Sequence, residues 1–200
     1  MKYHFTILSI LIFLFISPLF AQKRVALVIG NSNYASSLLT NPKNDSESIA
    51  EMLESLGFET QLLQNASKTQ MQNAIKQLSK TGKKADALLV FYAGHGIELD
   101  GVNYLIPVNT GVISEESLPS VAVSLDYVLS QISYAGAKTN LIFLDSCRTN
   151  SLVKGSKKLF RGLTVVQNPP SIDSFIMFAT APGQVADDGR GEHSPFTEAC

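Results

Sequence analysis

The sequence predicts an α/β domain with a mostly parallel central sheet and helices on both faces. Three observations predict it. Short apolar runs of strand length alternate with segments of helical periodicity. The runs are rich in Val, Ile, Leu and Phe, as expected of parallel strands covered on both sides. Of 200 residues, 45% are apolar and 16% charged, enough for one sizeable core. The formal net charge is -1 and the basic residues form no long patch, which excludes nucleic acid as the main partner.

RVALVIG, residues 24 to 30, reads as the first buried strand. Ile49, Met52, Leu53 and Leu56 follow at i, i+3, i+4, i+7, with Asn44, Asp45 and Ser46 as cap candidates and Gly57 as the stop. FETQLL, 58 to 63, is a second strand. Ser67 opens a helix bearing Met71, Ala74, Ile75 and Leu78, which Gly82 closes. Residues 86 to 92 form the third strand, expected to end at Gly94-His95-Gly96. Asp100-Gly101 between short apolar flanks predicts a hairpin. Residues 109 to 123 read as loop, followed by a helix with Leu125, Val128, Leu129 and Ile132 behind a Ser124 cap. NLIFLD, 140 to 145, and SFIMFAT, 174 to 180, are the last two strands. The segment between them is basic, ends in Pro169-Pro170 and reads as a long exposed loop. SPFTEAC ends where a helix begins, so the domain is expected to continue past Cys200.

The first 21 residues stand apart. Lys2, an apolar stretch of about 15 residues and Ala21 make a secretory signal peptide, with Leu19 and Ala21 three and one before the cut. The stretch is short for a membrane span of roughly 20 residues, so cleavage is preferred to a retained anchor. The mature domain, 22 to 200, is then exported, periplasmic or extracellular, without stable membrane association. An exported chain can carry disulfides, but only Cys147 and Cys200 are present, too few for a thiolate-rich zinc site.

In an open parallel sheet, ligands bind beyond the carboxyl ends of the strands. That rule gathers Asn31-Ser32-Asn33-Tyr34 and Asp45 after strand one, His95 after strand three, and Asp145-Ser146-Cys147-Arg148 after strand four. A thiol beside an imidazole is a nucleophile with its proton shuttle. Gly96 would leave its N–H bare for an oxyanion beside that of Cys147, a donor worth about 3 kcal/mol. Each residue alone also has an ordinary reading: Cys147 as core filler, Gly-His-Gly as a turn, Asp45 as a helix cap, Asp145 as a turn residue.

The segments RVALVIGNSNY, LTNPKNDSE, FYAGHGIELDGVNYLIPV, IFLDSCRTN and FATAPGQVADDGRGEHSPFT together resemble the caspase-like cysteine peptidases, in particular their bacterial metacaspase-like branch. The resemblance runs from about residue 24 to 197 and implies the caspase-like three-layer fold. It implies a catalytic dyad of Cys147 and His95, with Gly96 as second oxyanion donor. It places an acid at Asp145, where caspases that cleave after aspartate have glutamine, and another in the Asn44-Asp45 segment. Two carboxylates in one pocket suit Arg or Lys before the cleaved bond, so the implied partners are peptides or proteins carrying those residues. His193 stands where relatives often have asparagine and is expected on the pocket wall or surface, not as the base. No cofactor is required. Calcium, used by some metacaspases, is left open, since only Asn109, Glu115 and Glu116 stand in the corresponding region. Lys154, Lys157, Lys158 and Arg161 in the basic loop raise self-cleavage, against an ordinary solvated linker. The competing functions are a non-catalytic scaffold of the same fold and a legumain-like or gingipain-like peptidase.

Overall fold

The computed structural model describes residues 22–35, 37–111, 113–148, 163, 174–179 and 191–200, with Cys147 and Arg148 as backbone positions. The proposed signal peptide lies outside the described residues, as do the four basic residues of the long loop. The elements run β1 (Arg24–Gly30), α1 (Pro42–Ser55), β2 (Glu59–Gln64), α2 (Lys68–Thr81), β3 (Ala87–Leu99), β4 (Val102–Leu105), α3 (Leu118–Val121), β5 (Val123–Ser124), α4 (Leu125–Ala135), β6 (Thr139–Arg148), β7 (Ser174–Phe178) and α5 (Pro195–Glu198).

Strands β2, β1, β3, β6 and β7 lie side by side and parallel, in that order. The predicted α/β architecture is present, and strand alternation builds its two cores. Val25, Leu27, Ile29, Leu88, Val90, Ile142 and Leu144 face α2 and α4. Ala26, Val28, Leu89, Phe91 and Ala93 face α1, joined by Phe143 and Phe196. A third cluster, including Tyr34, Ile97, Ile106 and Ile113, lies among the end of β3 and the segments after β1 and β4.

Helix starts follow local chemistry. Ser67 caps α2 in a capping box with Gln70, and Ser124 caps α4 by accepting from the Tyr127 N–H. Helix α1 begins earlier than its cap candidates suggest. Pro42 occupies the first turn, behind Asn41, because a proline ring holds the helical φ and needs no N–H partner there. Asp45 therefore lies inside the helix rather than capping it.

The main departure concerns β3. It does not stop before Gly94 but runs on to Leu99 through Gly94-His95-Gly96. Asp100 and Gly101, with φ of 50° and 84°, then form the expected two-residue hairpin turn into β4. The strand stays buried as far as Ile97, but Gly94-His95-Gly96 interrupts the apolar run, so the sequence pattern stops short of the strand's end. The segment 109 to 123, expected to be loop, contains the single turn α3 and the start of β5.

Candidate active site

The β3 extension creates a backbone problem. Strand β1 pairs with β3 only as far as Ala93, and antiparallel β4 starts at Gly96. His95 falls between the two and is 1% exposed, so its polar backbone groups need partners within the protein. Two tyrosines supply them. The His95 N–H donates to Tyr34 Oη at 3.0 Å. The His95 carbonyl accepts from Tyr92 Oη at 2.7 Å and from the Ile106 N–H at 3.0 Å. Tyr34 Oη also donates to the Ile106 carbonyl at 2.9 Å. Tyr92 is fully buried, and its phenol is held well above its ordinary value, chiefly by that burial, so its hydroxyl acts as a neutral hydrogen-bonding group.

This arrangement gives the first glycine a reason. A Cβ on Gly94 would lie 2.7 Å from both tyrosine oxygens, at a φ of +154° that other residues rarely adopt. A Cβ on Gly96 would lie 2.8 Å from Ser146 Oγ and 2.9 Å from the Leu163 side chain. Gly94 is thus required by both packing and backbone angle, whereas a side chain at 96 would press on the Ser146 and Leu163 side chains.

The His95 ring is fixed as well. Its Nε2 lies 2.8 Å from the Ser37 carbonyl, which only accepts, so Nε2 carries the proton and Nδ1 is the acceptor in the neutral ring. The Tyr34 ring lies 4.3 Å away, tilted by 48°. Across the sheet, β3 and β6 run in register, with Ala93 opposite Asp145, His95 opposite Cys147 and Gly96 opposite Arg148. His95 and Cys147 are thus direct neighbours on adjacent strands, which lie about 4.8 Å apart.

A second cluster joins α1, β6 and α5. Asp45 is 1% and Asp145 5% exposed. Ser194 bridges them: its N–H donates to Asp45 Oδ1 at 3.1 Å, and its Oγ–H donates to Asp145 Oδ2. The same Oγ accepts from the Thr197 N–H, capping α5. His193 Nδ1–H donates to Asp45 Oδ1 at 3.1 Å, and Asn44 Nδ2 donates to the Glu192 carbonyl at 3.1 Å. Burial raises the Asp45 carboxyl above its usual range, against the bonds from Ser194, His193 and Thr197 that lower it.

The predicted residues therefore fall into two groups, His95, Gly96 and Cys147 on the β3–β6 rim, and Asp45 and Asp145 around Ser194. Strand β6 carries a member of each. Sequence reasoning missed Ser194 as the link between the carboxylates, although Ser-Pro before a helical segment is a recognisable start signal. It also missed Ser37 and Tyr92, which carry no local signature. Among the described residues no group of three or more His, Cys, Asp or Glu side chains is placed to hold a metal ion.

Residues 23–200 match the Caspase domain family. Over 177 residues the chain is 28% identical to mucosa-associated lymphoid tissue lymphoma translocation protein 1 of Homo sapiens, covering 87% of this chain and 20% of that protein. It is 27% identical over 136 residues to a probable protease of a Desulfuromonadales bacterium, covering 63% of this chain and 16% of that protein. The chain thus spans about a fifth of the length of these curated relatives. Among solved structures, the Drosophila initiator caspase Dronc aligns with a TM-score of 0.58 at 14% identity, over 88% of this chain and 63% of that one. A Geobacter sulfurreducens protein aligns with a TM-score of 0.51 at 21% identity, over 62% of this chain and 50% of that one. These structural likenesses concern the fold. With the family match spanning nearly all of the chain after the N-terminal segment, the chain belongs to the caspase domain family and carries a caspase-like peptidase domain.

Proposed function

We propose that the chain is a cysteine endopeptidase that hydrolyses peptide bonds after Arg or Lys. The observation that carries this reading is the register of β3 on β6, which pairs position 95 with position 147. The Cys147 thiolate attacks the carbonyl carbon of the scissile amide, and the oxyanion is received by the N–H groups of Gly96 and Cys147. His95 protonates the leaving amine, and the amide C–N bond breaks to give a thioester. His95 then takes a proton from water, whose oxygen attacks the thioester carbon; the C–S bond breaks, releasing the acid and restoring the Cys147 thiolate beside protonated His95. The bond that His95 Nε2–H donates to the Ser37 carbonyl favours this role, because it sets one tautomer of the ring.

Asp45 and Asp145 are the cation-selecting pair. Support comes from their common attachment to Ser194 and from strand periodicity, which assigns positions 145 and 147 to one face of β6. Loss of one buried partner of such an ion pair costs about 2–5 kcal/mol. We further propose that residues 1–21 direct export, which N-terminal sequencing of the secreted protein would report as a start at Gln22.

The test is a panel of fluorogenic peptides ending in Arg, Lys, Asp or Asn, with and without calcium, on the folded protein and on Cys147→Ala. Cleavage after Arg or Lys that Cys147→Ala loses is expected. Cleavage after Asp alone would overturn the pocket assignment, and no turnover of any member would favour a scaffold. Intact mass of both proteins reports self-cleavage of the basic loop: fragments common to both would exclude it.

A further inference from the structure

We propose that His193 is a specificity-determining gate on the acidic pocket: without substrate its imidazole holds the Asp45 carboxylate oxygen that an incoming guanidinium or ammonium needs, and it swings aside when the cation binds. The proposal rests on the pocket reading above and deepens it. The oxygen concerned is saturated. A carboxylate oxygen offers two lone pairs, and Asp45 Oδ1 already accepts from the Ser194 N–H and from His193 Nδ1–H, both at 3.1 Å.

The two donors differ in how easily they can leave. The Ser194 N–H belongs to the backbone at the cap of α5, and the Ser194 hydroxyl is tied to Asp145 and Thr197. Withdrawing it would undo the helix start. The His193 donor is on a side chain that is 32% exposed, and it can leave by rotation about its own side-chain bonds without withdrawing a backbone group. The preceding backbone is pinned, because Asn44 donates to the Glu192 carbonyl. Motion is thereby confined to the imidazole. Asp45 itself is almost wholly covered, so a cation reaching Oδ1 must replace a group already there, and His193 is the one that can yield.

The test measures benzamidine, a small guanidinium-like cation, by calorimetry on full-length Cys147→Ala protein, with His193 as wild type, His193→Ala or His193→Lys. His193→Ala is expected to tighten the Kd about fivefold, the scale of one part-exposed hydrogen bond. His193→Lys, a permanent cation, is expected to weaken it by about the same factor. In the active protein His193→Ala lowers KM for the Arg peptide, with the change in KM rather than kcat. A merely structural role would move kcat and melting temperature instead. Weaker or unchanged benzamidine binding in His193→Ala, or no binding by any of the three proteins, overturns the gate. Peptide turnover without a His193 effect on binding defeats the gate alone. A His193 effect on benzamidine without turnover of any peptide keeps the gate and defeats the peptidase reading.

Discussion

His95 and Asp45 are each 1% exposed, yet the chain holds them by different means. His95 is fixed at both backbone groups and at its ring, by neutral donors and acceptors from the loop after β1, from β3 itself and from the segment after β4. None of these contacts requires a charge. Asp45 is a buried carboxyl whose ionised form is disfavoured by desolvation and supported mainly by one short segment, His193-Ser194. The difference separates a histidine held by neutral contacts from a buried carboxylate held by the donors of one short segment; under the proposed function the first is the proton shuttle and the second selects the cation. A proton shuttle works by fixed geometry. A charge-selecting pocket works by holding an anion that binding will satisfy.

The largest effects should fall on the rim. Cys147→Ala and His95→Ala are each expected to reduce kcat more than about 10³-fold with little change in the thermal melt for Cys147→Ala. Retention of turnover by either protein would break the dyad. Asp145→Asn and Asp45→Asn come next, with a loss of at least about thirtyfold in kcat/KM for Arg peptides, the lower end of the buried-pair cost. Steady-state kinetics on Arg and Asp peptides check this, and an equal loss on both would remove the pocket from specificity.

The stability of the same variants sharpens the contrast. Because the Asp45 carboxyl is raised above 3.8 in the fold, its contribution to stability is full below that value and is lost as pH rises through the higher folded one. At neutral pH the ionised group weighs against folding, so Asp45→Asn is expected to melt no lower than wild type. Tyr92→Phe should do the opposite. It removes a donor from the buried His95 carbonyl and an acceptor from the Ile106 N–H, costing about 1–2 kcal/mol, or roughly 2–8 °C in a domain of this size. If Asp45→Asn melted well below Tyr92→Phe, the contrast would be reversed.

The smallest effect is the pH response. Cation binding should weaken, seen as a rising KM for Arg peptides, as pH falls through a value above the ordinary 3.8 of aspartate. A KM that stays flat until pH passes below 3.8 would show that burial does not raise Asp45.

Much of this division was legible in the sequence. The parallel sheet, the helices with their apolar spacing and the Ser67 and Ser124 caps follow from local patterns. The strand-end rule brought His95 and Cys147 to one rim. What it could not show was why glycine stands at 94. That depends on Tyr34 and Tyr92 converging from positions 58 residues apart, a tertiary fact with no local period. The end of β3 was misplaced for a related reason: past Ala93 the strand is held by β6, by tyrosine hydroxyls and by β4 rather than by an apolar pattern. Asp45 looked like a cap because acids gather at helix starts. Only the fold shows its carboxylate turned to Ser194, 149 residues away.

Labelling with an arginyl chloromethyl ketone, followed by peptide mapping of wild type and His95→Ala, tests the account most directly, because it reads thiol, imidazole and pocket together. The account predicts alkylation at Cys147 and not at Cys200, abolished by His95→Ala. Equal alkylation of both cysteines, or labelling of Cys147 that His95→Ala leaves unchanged, would contradict it.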